Sequence, residues 1–421
     1  MHNGMDFVRL YIDPATGSML FSVLLGAFIT VGFFFRGLLI KLKTVVSGKS
    51  LSTNNEGRKT FLIYSDDKRY WNNFMPILNE LNNRKIDVTF WTSSEDDPVF
   101  SEKYEYVHPE YIGAGNKAFV KLNAVNADIV LSTTPGLDVL QWKRSKGVKK
   151  YVHFFHEAST ALVYRMFQLD FYDAVLAVSE FQIDEIRKLE RIRNLPAKEM
   201  EVVGLPYFDV LADKLKKSDI PKNENKVILL APSWGETCLL YKLGEKLIDG
   251  LIETGYEIVL RPHPQSFTAD KEILQKIKKK YDGCENFSWN TDNDNFDILN
   301  RADLLISDFS GVVFDFTIIF GKPVMYTSVE DFDDSVYDSA WIEDELWKFK
   351  VLPTIGCEVS AQNLDDLKRQ IDETISSDKY AQGIKEIRDY AWHNQGHSAE
   401  AIVTYLTELL QRINDMSKVE E

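Results

Sequence analysis

Four short runs, each closing an apolar stretch with polar residues, carry the groups of this 421-residue chain best suited to chemistry. In LLISDFSGVVFDF, Ser307, Asp308, Ser310 and Gly311 fall where a strand gives way to a helix, a turn that exposes backbone N–H groups to an anion, most often phosphate. The same residue types also serve as ordinary helix caps. In KYVHFFHEAST the strand ends on His156, followed by Glu157, Ser159 and Thr160. A histidine at a strand end can take a hydroxyl proton near neutral pH. His153, three residues earlier, would point to the opposite face. In YEIVLRPHPQSF, Pro262 and Pro264 stiffen the loop that aims Arg261 and a protonated His263, a pair suited to the diphosphate of a nucleotide donor. In ILLAPSWGE, Gly235 permits close backbone approach beside Ser233, and Trp234 covers a base or sugar or else fills core.

The same sequence excludes several classes. No Walker loop or complete GxGxxG fingerprint is present, which removes support for P-loop hydrolysis and dinucleotide oxidoreduction. Cys238, Cys284 and Cys357 are three, widely spaced and without metal-ligand spacing, so neither a disulfide framework nor a zinc site is expected and reduced cytosolic thiols fit best. Acidic clusters at Asp66 and Asp67, around Asp292 and Asp294, and at 331–334 read as solvated loops, and no metal or other cofactor is expected. With 49 basic against 64 acidic side chains the net charge is −15, which argues against a nucleic-acid binder. A phosphate site must therefore be built locally, as a compact basic patch around Arg261.

The elements that must hold these residues are those of an α/β protein. TFLIYS, IDVTFWT, ADIVLST, KYVHFF and AVLAVS read as buried strands separated by helical patterns such as 71–82 and 180–189. After MEVVGLPYFDVL, a lysine-rich stretch over 214–226 reads as a link to a second series, KVILLAPS, YEIVLRP, FSWN, DLLIS and KPVMYT. Helices in that series are expected to start near Glu245, Ala269, Asn295, Gly311 and Leu364. Two doubly wound units in series direct their strand ends toward one cleft. Residues 17–35 carry no charge and match the minimum for a membrane span, with Arg36, Lys41, Lys43 and Lys49 on the far flank. A single-pass anchor with the remainder cytoplasmic follows. At the other end, Ser398 opens a periodic helix expected to pack back on the domains.

HFFHEAST, RPHPQSF and SDFSGVVFDF, in that order, resemble the CDP-glycerol glycerophosphotransferase family of teichoic-acid-type polyol-phosphate transferases. STTPGLDVLQWKRSK, VVGLPYFDVL, LLAPSWG and NQGHSAEAI resemble it too, extending the likeness over about 111–402. The resemblance implies a two-Rossmann fold of the GT-B type, and with the anchor read from the sequence itself the chain divides into anchor 1–45, linker 46–60, acceptor domain 61–212, nucleotide-donor domain 213–385 and C-terminal helix 386–421. It implies His156 as base toward an acceptor hydroxyl, with His263 and Arg261 on the diphosphate. Ser307, Ser310 and the backbone at Gly311 would hold phosphate oxygens, beside Asp308, Ser233, Trp234 and Gly235. Donor and acceptor would be a CDP-polyol and a lipid-linked or cell-surface glycan, with CMP released. Gly311 replaces a serine usual in that family, and Glu157 replaces a glycine or serine. Two alternatives stand beside this reading: a GT-B glycosyltransferase using a nucleotide sugar, and a non-catalytic, membrane-tethered binding protein of the same fold.

Overall fold

The computed structural model describes residues 57–219, 224–292, 294–308, 310–328 and 332–419. The expected anchor at 17–35 and most of the linker lie outside them; among the described residues no helix is long and apolar enough to cross a membrane.

Seven parallel strands form the first sheet: β1 (Lys59–Ser65), β2 (Val88–Thr92), β3 (Val107–Tyr111), β4 (Asn126–Ser132), β5 (Gly147–Phe154), β6 (Ala174–Ala177) and β7 (Glu199–Val202), in the order β3-β2-β1-β4-β5-β6-β7. Six parallel strands form the second: β8 (Val227–Leu230), β9 (Glu257–Leu260), β10 (Phe287–Trp289), β11 (Leu304–Ser307), β12 (Val324–Tyr326) and β13 (Gly356–Glu358), in the order β10-β9-β8-β11-β12-β13. In both sheets the order reverses direction beside the first strand, at β1–β4 and at β8–β11. Crevices beyond the strand ends open at such points.

Strand periodicity explains the layering. Phe61 and Ile63 of β1 point to one face, where the helix Trp71–Asn83 adds Phe74, Ile77 and Leu78 and the C-terminal helix Ser398–Val419 adds Ile402, Val403, Leu406 and Leu409. Leu62 and Tyr64 point to the other, into a core that continues through Phe181 and Phe208 to Val227, Leu229 and Leu305 of the second sheet. One apolar core therefore joins the two sheets. Ile228 and Leu230 turn away into the second sheet's outer layer with Leu247 and Ile248. Parallel sheets covered on both faces need such near-continuous apolar strands, which is why ten of them are legible in the sequence.

Three strands were not expected, β3, β7 and β13, and all are sheet edges whose residues are largely exposed or half-buried. The helix Pro206–Lys217 also runs through the first lysines of the expected link, so Lys214, Lys216 and Lys217 complete its last turns, where cations suit the helix dipole. A segment after β12 reaches back to the first sheet: Arg165 and Tyr337 form an antiparallel bridge, and the Asp338 N–H donates to the Tyr164 carbonyl at 2.9 Å. There Arg193, 5% exposed, pairs with Asp170 at 2.8 Å and with Asp338.

Candidate active site

Strand ends of both sheets open onto one cleft of about 550 Å³. From the first sheet it receives Lys68, Arg69 and Tyr70 after β1 and His156 and Glu157 after β5; from the second it receives Arg261 and His263 after β9 and Ser310 and Gly311 after β11. Residues more than a hundred positions apart thus share a wall. A cavity of about 640 Å³ behind β7 and the C-terminal helix is lined instead by Glu199, Glu201, Glu400 and Glu408 and receives none of the strand-end motifs.

His156 is held from several sides. Its Nδ1 lies 3.0 Å from Thr133 Oγ1 at the end of β4, its carbonyl accepts from Asn73 Nδ2 at 3.4 Å, and the Tyr70 ring tilts against the imidazole at 4.6 Å. Burial pulls its pKa down, while Glu157 and Asp66 oppose that shift and Arg69 reinforces it. When Nδ1–H donates to Thr133, Nε2 keeps a lone pair for a hydroxyl proton. Asp66 accepts from Thr134 Oγ1 at 2.9 Å, and burial raises its pKa. It is thus a largely buried carboxyl near the imidazole, not the solvated loop residue expected. His153 is buried among Phe155, Tyr164 and Tyr172, and burial holds it down at about 3, so it stays neutral.

His263 differs from expectation in protonation. Its Nδ1 accepts the Gln265 N–H at 3.1 Å, a bond that a doubly protonated ring cannot accept. Burial and Arg69 also lower its pKa. The group offered is a neutral Nε2–H donor rather than an imidazolium. Trp234 is half-exposed rather than core, and its ring stacks on that of His263 with centroids 6.4 Å apart. Arg261 donates to Asn290 Oδ1 and, at 2.9 Å, to the Asp292 carbonyl, which fixes the guanidinium at the rim of the second sheet.

The SDFSG turn divides its labour differently from the sequence reading. Ser307 is fully buried and gives its hydroxyl to the Ala231 carbonyl at 2.6 Å. Asp308 is buried too, accepting from Ser233 Oγ at 2.8 Å, from the Ser233 N–H and from the Leu239 N–H at 3.0 Å. Ser307, Asp308 and Ser233 therefore tie the end of β11 to the loop after β8 instead of facing a phosphate, because their polar groups are spent on one another and on the Ala231 carbonyl and the Leu239 N–H. Gly235, at φ +86°, spends its N–H on the Asp270 carboxylate. Ser310 and Gly311 remain on the cleft wall.

Electrostatics is mixed where a basic patch was expected. Lys68 pairs with Asp96 and Arg69 with Asp67 at 2.9 Å, while Glu157, Asp294 and Asp315 line the same cleft. Those carboxylates come from three distant segments, so their convergence left no local mark in the sequence. Burial, with Glu157 nearby, pushes Asp315 up to about 8. Sequence reasoning also passed over Lys68, Arg69, Tyr70 and Thr133, whose one visible signal was their place just after apolar strands. No group of three or more His, Cys, Asp or Glu side chains arranged to hold a metal occurs among the described residues.

Comparison with known proteins places this geometry. The family model of CDP-glycerol:poly(glycerophosphate) glycerophosphotransferases matches residues 50–407. A teichoic acid glycerol-phosphate primase of Bacillus spizizenii is 23% identical over 218 residues, covering 49% of this chain and 51% of the relative. The match thus spans about half the length of that curated relative. A structure of the wall teichoic acid polymerase TagF soaked with CDPG superposes with a TM-score of 0.57 at 16% identity, covering 90% of this chain and 98% of the other. A UDP-GlcNAc 2-epimerase from Neisseria meningitidis bound to UDP-GlcNAc gives 0.52 at 13% identity, covering 83% and 100%. Both likenesses concern the fold: paired parallel α/β sheets of the GT-B kind.

Proposed function

The chain belongs to the CDP-glycerol:poly(glycerophosphate) glycerophosphotransferase family, and from that premise we propose that it transfers a polyol phosphate, glycerol phosphate or a close relative, from a CDP-activated donor to a hydroxyl of a lipid-linked or cell-surface glycan. The observation that carries this reading is that His156 from one sheet and His263, Arg261 and Ser310 from the other line a single cleft.

His156 Nε2 takes the proton of the acceptor hydroxyl while Nδ1–H rests on Thr133. The hydroxyl oxygen attacks the β-phosphorus, which carries the polyol; its bond to the bridging oxygen breaks, and CMP leaves with that electron pair as the phosphodiester forms. Arg261 and the His263 Nε2–H oppose charge gathering on the departing phosphate, and Ser310 with the backbone at Gly311 supports the equatorial oxygens. No metal is required in this scheme, so a chelator should leave the rate unchanged. The apolar run at 17–35 serves as an anchor that keeps the cleft on the cytoplasmic side, within reach of a lipid-linked acceptor.

A panel of CDP-polyols with membrane lipids, followed by CMP release and product analysis, tests the reading. CMP with a new phosphodiester is expected, and His156→Ala and His263→Ala should each lower transfer by about 10²–10⁴-fold without loss of folding. Release of UDP or GDP with a glycosidic bond, or full activity in either variant, overturns it.

A further inference from the structure

Glu157 and Gly311, one from each sheet, meet across the cleft: a Cβ built on Gly311 would lie 2.5 Å from Glu157 Oε2. The carboxylate therefore occupies the space over Gly311 that a side chain would fill, one residue after the proposed base and against the phosphate-holding turn. We propose that Glu157, admitted by Gly311, is the acceptor-specificity determinant of this chain: it selects a hydroxyl carried on an uncharged sugar or polyol and disfavours one beside a phosphodiester. The inference rests on the transferase reading given above and deepens it.

The surrounding charges support this. The donor's diphosphate is served from the second sheet by Arg261, His263 and Ser310. On the first-sheet side, Arg69 is engaged by Asp67 at 2.9 Å and Lys68 by Asp96, and Glu157 is the carboxylate that follows the base directly in the chain. Asp66 faces the imidazole and Asp315 lines the cleft near Glu157, and burial raises the pKa of both. Lys348, buried over the Phe332 and Phe349 rings, is the cation that faces Glu157: burial lowers its pKa to about 8, while Glu157, Asp308 and Glu185 favour its charged form. A carboxylate accepts hydrogen bonds from neighbouring hydroxyls and repels a phosphate.

A consequence concerns chain growth. The transfer itself places a phosphodiester beside the next free hydroxyl, so the product is a poorer acceptor than the starting glycan. Addition should stop after one unit.

The test uses the full chain, CDP-glycerol as donor and two synthetic lipid-linked acceptors, one ending in an unphosphorylated sugar and one in glycerol phosphate. CMP release and product mass are read. The wild type should favour the neutral end by about tenfold or more in kcat/KM and add one unit. Glu157→Gln should cut that preference about tenfold and give longer products. Gly311→Ala, whose methyl displaces the carboxylate without removing it, should relax the preference in the same direction. Equal use of both acceptors by the wild type, or an undiminished preference in both variants, overturns the inference while leaving the transferase reading intact. No CMP from either acceptor with wild-type protein overturns the transferase reading and this inference with it.

Discussion

His156 sits in a pocket whose burial disfavours its charged form, while Glu157 and Asp66 favour it. With His156 as the proposed base, the net downward shift should move the acid limb of kcat/KM below the ordinary histidine position, as a pH profile would show. Asp66→Asn removes a negative charge that stabilises the imidazolium, so the limb should move to lower pH; a limb that stays in place would show that Asp66 does not act on the ring. Thr133→Val removes the partner of Nδ1 and frees the ring to adopt the other tautomer, which should lower kcat about tenfold while leaving KM nearly unchanged. The cleft positions of His156 and His263 were legible in the sequence because each follows an apolar strand directly. Thr133, Asp66 and Arg69 were not, since what makes them matter is that β1, β4 and β5 are neighbours in the sheet. Ser307 and Asp308 were legible as a motif but misplaced, because a serine at the last position of a strand faces core or cleft according to register.

At the scale of elements, the helix Glu180–Arg193 supports the loop that carries His156. Glu185, 6% exposed, accepts from Thr160 Oγ1 and, at 2.8 Å, from the Ala161 N–H. Burial pushes its carboxyl from 4.5 up to about 7. Below pH 4.5 folded and unfolded chains both hold this proton. Between 4.5 and 7 the folded chain keeps it and the unfolded chain loses it, so stability falls as pH rises, by on the order of 3 kcal/mol in total, and levels off above 7. Urea midpoints of wild type and Glu185→Gln across pH 4.5 to 8 measure this; the variant should lose that part of the slope. The C-terminal helix packs on the helix Trp71–Asn83 and β4 with Leu406 in the shared core, and Leu406→Ala should cost about 2–5 kcal/mol in the same assay. Interior strands could be read from their apolar runs. Three of the four edge strands could not, because an edge faces water and needs no such run, as EMEV and GCE illustrate.

For the whole molecule, function requires two sheets to hold their strand ends in one relation, and two features do so. One is the shared apolar core from Leu62 to Leu305, which resists separation but tolerates sliding. The other is directional: Arg193 with Asp170 and Asp338, together with the Phe167 N–H donating to Asp338 Oδ1 at 2.9 Å, fixes the segment after β12 on the connection between β5 and β6. Arg193 also lies over the Phe167 and Trp341 rings, so groups from both halves meet on its cation. The two-sheet plan was visible in the order of strands, but this clasp was not, because its members are spread over 167–338 with no common pattern. Asp338→Ala leaves a buried guanidinium short of a partner and should cost about 3–5 kcal/mol, measured by urea denaturation. Because the clasp lies between the sheets and away from the reacting groups, the folded fraction should also bind its donor more weakly: KM for the CDP-polyol should rise severalfold, whereas kcat at saturating donor changes little. A variant with wild-type stability and KM would show that the apolar core alone sets the cleft.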